Sequence, residues 1–528
     1  MAKRAAALLA AWALLWLRAS PCRSSRILAV PVDGSHWLNM AVILKALHSR
    51  GHRVTVLHSP NSWYIPTNAS FYTSITATML EDATERDFYN RLLRDVAECR
   101  RSAGPFRTFS QRRLVTKLLA TGHKVLAEAA GAMLDDPVFM KRLREAQFDL
   151  VLTDPGLTVG VLLGSYLKLP TVFNVRWMNN GDAHFAAAPS PLSYVPVPGS
   201  ELHDGMDFQG RLKNLLHYLY SLVEYHFYIN SAYSDVFRRH FPPQTDLLTL
   251  ERAADIWLVR SDFVFELPRP TVPNVVYVGG FQCEEARALP ADLEAFVQSS
   301  GEHGVVLMSL GTLVSALPRD VTEAVAAAFA RLPQKVIWRM KGPRPSSLGN
   351  NTLLVDWLPQ RDLLGHPKTR AFVAHGGTNG VYEAIYHGVP VLGLPLLFDQ
   401  FDNLVRLKAR GAARVAEVDS LTVEGFLEAL RDILENPTYR DNMGRLSRLH
   451  RDRPTPPLET AIFWIEYVAR RGGASHLRPA AHGLPWYSYF CVDVTLLLIL
   501  VAVAFVWTSV FVCRAVCRQC FGRKMKRD

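Results

Sequence analysis

The residues richest in chemical possibility lie between positions 352 and 403. They run Asp356-Trp-Leu-Pro-Gln360, then Phe372-Val-Ala-His-Gly-Gly-Thr-Asn-Gly380, Glu383, Gly388-Val-Pro390 and Asp399-Gln400. His375-Gly-Gly-Thr-Asn379 falls where an apolar run of strand length gives way to a helical pattern. Glycines there let the backbone approach a ligand closely. A helix N-terminus also presents unpaired N–H groups and a partial positive charge. That suits a diphosphate, with His375 and Asn379 as further donors. Glu383, one turn into the helix, can reach ribose hydroxyls, and Trp357 offers a flat face on which a base can stack. His-Gly-Gly on its own also reads as a tight turn. Its spacing from Trp357, Glu383 and Asp399-Gln400 carries the nucleotide reading.

Two more residues stand at strand ends. His36 follows Arg26–Val32, and Asp154 follows Phe148–Thr153. Ligand sites of open α/β sheets gather at the carboxyl ends of strands. A histidine there can take a proton near neutral pH. A carboxylate on its other nitrogen would fix the tautomer. By themselves, the two residues read equally as a loop histidine and a helix N-cap.

These side chains need a scaffold, and the apolar pattern supplies one. Arg26–Val32 and His52–His58 are strands around a helical stretch at 38–50, which Gly51 closes. Such a βαβ unit, with strands apolar on both faces, implies a parallel sheet between helices. Phe148–Thr153 and Thr171–Val175 continue it, and 176–256 is aromatic and irregular, with helical segments near 211–240. Residues 282–303 are charged and contain Pro290 and Gly301, which predicts a linker. A second series then follows. Its strands are expected at 305–310, 335–340, 352–355, 371–374 and 390–394, and its helices at 320–332, 379–387, 401–410 and 422–435. Two doubly wound, Rossmann-like halves facing a cleft are the expected α/β architecture.

The 528 residues allow two to four domains, and seven cysteines cannot form a disulfide framework. Lys and Arg outnumber Asp and Glu by 59 to 48, a net charge of +11. The excess sits at the ends, which argues against nucleic acid as a partner. Lys3-Arg4 precedes an apolar run, Ala5–Leu17, too short to cross a bilayer; this reads as a signal peptide over 1–24. Val494–Val512 is 19 residues without a charge, long enough for one crossing. Trp486, Tyr487 and Tyr489 precede it, and Arg514, Arg518, Arg523, Lys524, Lys526 and Arg527 follow against Asp528. The positive-inside rule places that tail in the cytosol and the bulk of the chain across the membrane. Lys524 and Lys526 match a dilysine retrieval signal of the endoplasmic reticulum. Asn68 and Asn350 head glycosylation sequons. A Cys99–Cys283 disulfide is left open.

With these residues in view, the chain resembles the membrane-bound UDP-glucuronosyltransferases of the vertebrate UDP-glycosyltransferase family. The likeness runs from Pro31–Trp37 through Pro268-Arg-Pro270, Gly365-His-Pro367, Ala384–Gly388 and Phe463–Glu466 to the dilysine tail, and is most specific over 352–403. It implies a GT-B fold. The implied organisation is an acceptor-binding domain at 25–280, a UDP-sugar-binding domain at 281–470, a juxtamembrane segment at 471–490, a transmembrane helix at 491–513 and a cytosolic tail at 514–528.

By motif, Trp357 and Gln360 would hold uracil and Glu383 the ribose. Ser309, Thr312, His375, Gly377 and Asn379 would cradle the diphosphate, and Asp399 and Gln400 would bind sugar hydroxyls. Arg260 would pair with a glucuronate carboxylate. His36 would be the base and Asp154 its partner in an inverting transfer to a small lipophilic hydroxyl compound. The co-substrate is UDP-glucuronate, and no metal or other cofactor is expected. Homo- or hetero-oligomers are compatible with this reading. Phe398 and Phe401 depart from the pattern, since many relatives have a small residue at the first position. Alternatives are a transferase using UDP-glucose, UDP-galactose or UDP-N-acetylglucosamine, and a catalytically inactive membrane partner.

Overall fold

The structure, a computed structural model, describes residues 24–83, 86–102, 104, 107–176, 183–311, 314 and 317–524. The expected signal peptide, Thr312 and Lys526 therefore lie outside the described residues. In the first half, β1 (Arg26–Val30), α1 (Ser35–Ser49), β2 (Arg53–His58) and β3 (Thr73–Thr76) precede three helices, α2 (Arg86–Ser102), α3 (Arg107–Asp135) and α4 (Pro137–Glu145). There follow β4 (Leu150–Thr153), α5 (Thr158–Tyr166), β5 (Thr171–Val175), α6 (Phe208–Val223), α7 (Ser234–His240), α8 (Leu247–Arg252), β6 (Ile256–Val259) and β7 (Val275–Tyr277). All pairings are parallel, in the order β3-β2-β1-β4-β5-β6-β7.

Alternation along each strand divides its side chains between two cores. Leu28, Val30, Val151 and Phe173 face one layer of helices, and Ile27, Ala29, Leu150 and Leu152 the other. Burial on both faces explains why these strands are near-continuous apolar runs.

The second half is built from α9 (Ala291–Gln298), β8 (Val305–Ser309), α10 (Arg319–Phe329), β9 (Lys335–Arg339), β10 (Thr352–Val355), α11 (Gln360–Leu364), β11 (Thr369–Ala374), α12 (Thr378–His387), β12 (Val391–Gly393), α13 (Gln400–Ala409), β13 (Ala413–Val415), α14 (Val423–Glu435) and α15 (Pro437–Arg451). Its sheet is also parallel, ordered β10-β9-β8-β11-β12-β13. The expected linker at 282–303 is a linker only in part. Its middle is α9, which buries Leu293 and Val297 in the second core.

The halves exchange helices. Leu92, Leu93 and Val96 of α2 are buried in the core of the second sheet. After α15 the chain returns as α16 (Pro457–Arg471), whose Ala461, Ile462, Ile465 and Val468 complete a core of the first sheet. Both passages of chain between the halves run beside one polar cluster. There His450 Nδ1 lies 2.6 Å from Asp262 Oδ2, and Asp262 N–H donates to the Tyr382 hydroxyl at 2.7 Å. A Cβ on Gly280, whose φ is +77°, would stand 2.3 Å from His450 Nε2.

Residues 478–528 form a separate unit with α17 (Trp486–Tyr489) and α18 (Val492–Lys524). Val492–Gln519 is long and apolar enough to span a bilayer, with a mean hydropathy of 2.8. The helix outruns the expected limit at 513, because no glycine or proline interrupts it before Gly522.

Candidate active site

Both sheets reverse strand order at one place, between β1 and β4 in the first and between β8 and β11 in the second. Such switch points open a crevice at the carboxyl ends of the strands. His36, in the first turn of α1, and Asp154, just after β4, stand at the first. Ser309, ending β8, and His375, just after β11, stand at the second. A cleft of about 580 Å³ is lined from both sides. Its walls include His36, Ser309, Trp357, Gln360, His375, Gly377, Asn379, Glu383, Asp399 and Gln400.

His36 Nδ1 lies 2.6 Å from Asp154 Oδ2, while Asp154 Oδ1 accepts the Gly156 N–H at 3.0 Å. This leaves His36 Nε2 for a substrate. Burial drives His36 below its ordinary pKa, Asp154 opposes this, and Arg176 and Arg260 reinforce it. The His36 ring is therefore neutral at physiological pH. Burial also works against ionisation of Asp154, but His36, Arg260 and the Gly156 N–H outweigh it and hold the carboxyl below its ordinary range.

In the second half, the turn after β11 is built from contacts that leave no room for a side chain. A Cβ on Gly377 would fall 2.4 Å from His375 Nε2, and one on Gly311, with φ +78°, 2.6 Å from the same ring. The α12 N-terminus thus faces the cleft uncapped by any side chain. Burial pushes His375 down to about 4, so it is a neutral ring. Gln360 Nε2 donates to Glu383 Oε2 at 2.5 Å, and burial raises Glu383 to about 7. Trp357 is 62% exposed, with the Arg339 guanidinium 5.1 Å from its ring centroid. Asp399 accepts from Thr378 Oγ1 at 3.0 Å and Asn403 Nδ2 at 2.8 Å. Gln400 Oε1 is taken by the N–H groups of Leu396 and Leu397, at 2.8 and 2.9 Å, which leaves only its amide N–H groups for a ligand. Phe398, just before Asp399, has φ +55° and lines the cleft.

Residues 25–527 match the family described as "UDP-glucoronosyl and UDP-glucosyl transferase". The chain belongs to the UDP-glucuronosyltransferase family. Over 516 residues the transferase is 40% identical to UDP-glucuronosyltransferase 2A2 of Homo sapiens, covering 96% of this chain and 95% of that one. To UDP-glucuronosyltransferase 2C1 of Oryctolagus cuniculus it is 40% identical over 510 residues, with 95% and 100% covered. Among solved structures it is similar to CalG4, the calicheamicin glycosyltransferase, with a TM-score of 0.54, 18% identity, and 85% and 99% coverage. Os79 from O. sativa in complex with UDP gives a TM-score of 0.55 at 16% identity, over 84% and 100% of the two chains. The fold is GT-B.

Three residues of the transferase at or beside the cleft carry no motif and were not anticipated. Asn39 Nδ2 donates to Asn379 Oδ1 at 2.7 Å and so ties the two halves across the site. Arg339 stacks on Trp357. Arg176, following β5, donates to Ser35 Oγ and lines the cleft beside His36 and His375. A lone arginine at a strand end is the only signal the sequence offered for the last two.

Arg260, expected at the donor, does not line this cleft. It is 2% exposed and lies 3.8 Å from Asp154 Oδ2, and burial pushes it down to about 9. A wall of Leu118, Leu119, Val125 and Leu126 from α3, with Leu38, gives the first-half side of the cleft an apolar surface. Cys283 is a free thiol, so no bridge to Cys99 is formed. Among the described residues no cluster of His, Cys, Asp and Glu could hold a metal ion.

Proposed function

We propose that this transferase moves glucuronate from UDP-glucuronate to the hydroxyl of small lipophilic acceptors, with inversion and without a metal. The observation that carries the reading is the His36–Asp154 pair facing, across one cleft, the uncapped N-terminus of α12. An acceptor held on the apolar α3 wall places its hydroxyl at His36 Nε2. His36 takes the proton as the oxygen bonds to the anomeric carbon, and Asp154 stabilises the imidazolium that forms. The bond to UDP breaks on the opposite face, so a single displacement inverts the centre. The departing diphosphate meets the N–H groups of the α12 terminus, Ser309, His375 and Asn379. Glu383 receives the ribose, Trp357 and Gln360 the uracil, and Asp399 and Gln400 the sugar hydroxyls. Arg176 is the guanidinium available in the cleft for a glucuronate carboxylate.

For the cellular setting, we infer a single-pass protein of the endoplasmic reticulum, with the catalytic halves in the lumen. The apolar helix, the basic tail with Lys524 and Lys526, and the exposure of Asn68 and Asn350 support this reading. The test is transfer to a simple phenol by membranes containing the full chain, with UDP-glucuronate, UDP-glucose, UDP-galactose and UDP-N-acetylglucosamine assayed in parallel. UDP-glucuronate should give the highest kcat/KM. His36→Ala should lose about 10²–10⁴-fold in rate while binding UDP as before. Equal use of all four donors would refute the donor assignment, and an undiminished rate in His36→Ala would refute the mechanism.

A further inference from the structure

The helix that opens on the cleft with its N-terminus, α12, is gripped by the first half at two points. Asn379, Gly380 and Glu383 line the cleft, whereas Tyr382 of the same helix does not and is 1% exposed. The Tyr382 hydroxyl accepts the Asp262 N–H at 2.7 Å and donates to Asp262 Oδ1 at 3.2 Å, and Ser261 Oγ stands 3.1 Å away. A hydroxyl has one hydrogen and two lone pairs. All three are spent on the chain just after β6, a strand of the first sheet. The surroundings leave little play. Gly279 N–H donates to the Ser261 carbonyl at 2.9 Å, and a Cβ on Gly279 would stand 2.7 Å from the Tyr382 hydroxyl. Asp262 is itself fixed by His450 Nδ1, by the Arg453 guanidinium and by the Phe265 N–H at 3.1 Å. About one turn earlier on α12, Asn379 meets Asn39 Nδ2 at 2.7 Å and the Ser35 carbonyl at 3.5 Å, both on α1 with His36. That tie lies at the cleft; the Tyr382 tie is out of water, where a hydrogen bond is stronger.

We propose that Tyr382 is a positioning residue, whose hydroxyl holds α12, and with it the bound donor, in register with His36. The inference rests on the reading of His36 as the base and of the α12 N-terminus as the diphosphate site. On that reading every group that holds UDP belongs to the second half, and the base belongs to the first. UDP binding therefore needs one half, whereas the displacement needs both halves aligned. Tyr382 touches neither donor nor acceptor. Removing its hydroxyl keeps the ring against Phe265 and His450, whose centroids are 5.6 and 5.5 Å from its own. It takes from the buried Asp262 N–H the partner described above, and it frees α12 from the end of β6.

The test is Tyr382→Phe in the full-length enzyme, in membranes for turnover and solubilised in detergent for calorimetric binding of UDP. A misplacement of about 1 Å can cost about 10²-fold in rate, so kcat for glucuronate transfer should fall by about 10- to 100-fold while the Kd for UDP stays within about twofold. An unchanged kcat overturns the proposal. So does a loss of UDP affinity in step with kcat, which would mean that the second half itself had been damaged. Ser261→Ala removes one of the three partners and no ring, and should show the same split to a smaller extent. Should Tyr382→Phe not fold, Ser261→Ala decides: an undiminished kcat, or a parallel loss of UDP affinity, overturns the proposal. Failure of the underlying reading is distinguishable. Wild-type turnover in His36→Ala would refute the base, and unchanged UDP affinity in Gly377→Ala would refute the diphosphate site. A normal Tyr382→Phe beside an inactive His36→Ala would refute only the role of Tyr382.

Discussion

Replacing Arg176 by glutamine removes a cleft guanidinium at the point where His36, His375 and Asp399 converge. A glucuronate carboxylate entering this space sheds part of its water, which costs free energy unless a fixed charge replaces it. Hydrogen bonds to charged groups contribute roughly 1.5–3 kcal/mol. At 1.36 kcal/mol per decade, kcat/KM for UDP-glucuronate should fall by about 10- to 150-fold relative to that for UDP-glucose. A second effect must be kept apart from this one. Arg176 also depresses His36, so its loss raises the histidine and shifts the acid limb upward for every donor. Measuring the donor ratio at alkaline pH, where His36 is neutral in both proteins, removes that effect. Arg176→Lys should retain part of the selectivity, because a point charge replaces the fork without its bidentate geometry. An unchanged ratio in Arg176→Gln would show that the carboxylate is recognised elsewhere and would refute the assignment.

Three other outcomes follow from the geometry. With Glu383 raised to about 7, the carboxyl is protonated below that pH and ionised above it, so UDP affinity should strengthen as pH rises through neutrality; calorimetric titration should find this dependence flattened in Glu383→Gln. Gly377→Ala should weaken UDP binding by about 10- to 100-fold with little change in the thermal midpoint, since its Cβ would meet His375 Nε2 at 2.4 Å and push the phosphate loop out of place. Protease added to sealed microsomes should remove only a short C-terminal segment, and Lys524→Ser/Lys526→Ser should release protein to later compartments; digestion of the bulk of the chain without detergent would reverse the proposed orientation.

The strands that carry the site were legible because each is buried on both faces and therefore reads as an unbroken apolar run. His36 and Asp154 are 118 positions apart, yet both could be placed, since each follows such a strand and β1 pairs with β4. The glycine turn after β11 was legible for a different reason: glycines there answer to contacts with His375 that a Cβ would destroy. What escaped notice was long-range burial on otherwise polar elements. α2 is a highly charged helix, and three of its apolar residues, Leu92, Leu93 and Val96, are claimed by the other half of the molecule. α9 was read as linker because its charged exposed face outweighs Leu293 and Val297. The short strands β3, β7 and β13 offer only three or four residues to a pattern. Arg260 was singled out by its type, but its burial was not legible, since nothing local distinguishes a buried strand-end arginine from an exposed one.

The two chain passages between the halves, packed together where Gly280 meets His450, act as the two knuckles of one hinge. A single joint would let the halves swivel; a double one beside a shared polar cluster would restrict any turning of the halves to one line. Contacts away from that line are then latches: Asn39 with Asn379, Arg100 with Glu417, and Asp402 with the backbone of Gly199 and Glu201. They differ in what they secure. The Asn39–Asn379 latch takes Asn379 Oδ1, so a diphosphate held as proposed would meet Asn379 Nδ2, which otherwise donates to the Ser35 carbonyl of the first half at 3.5 Å. On the proposed reading, one side chain would then serve both the cleft's closure and its ligand, its oxygen held by the first half and its N–H groups turned to the diphosphate.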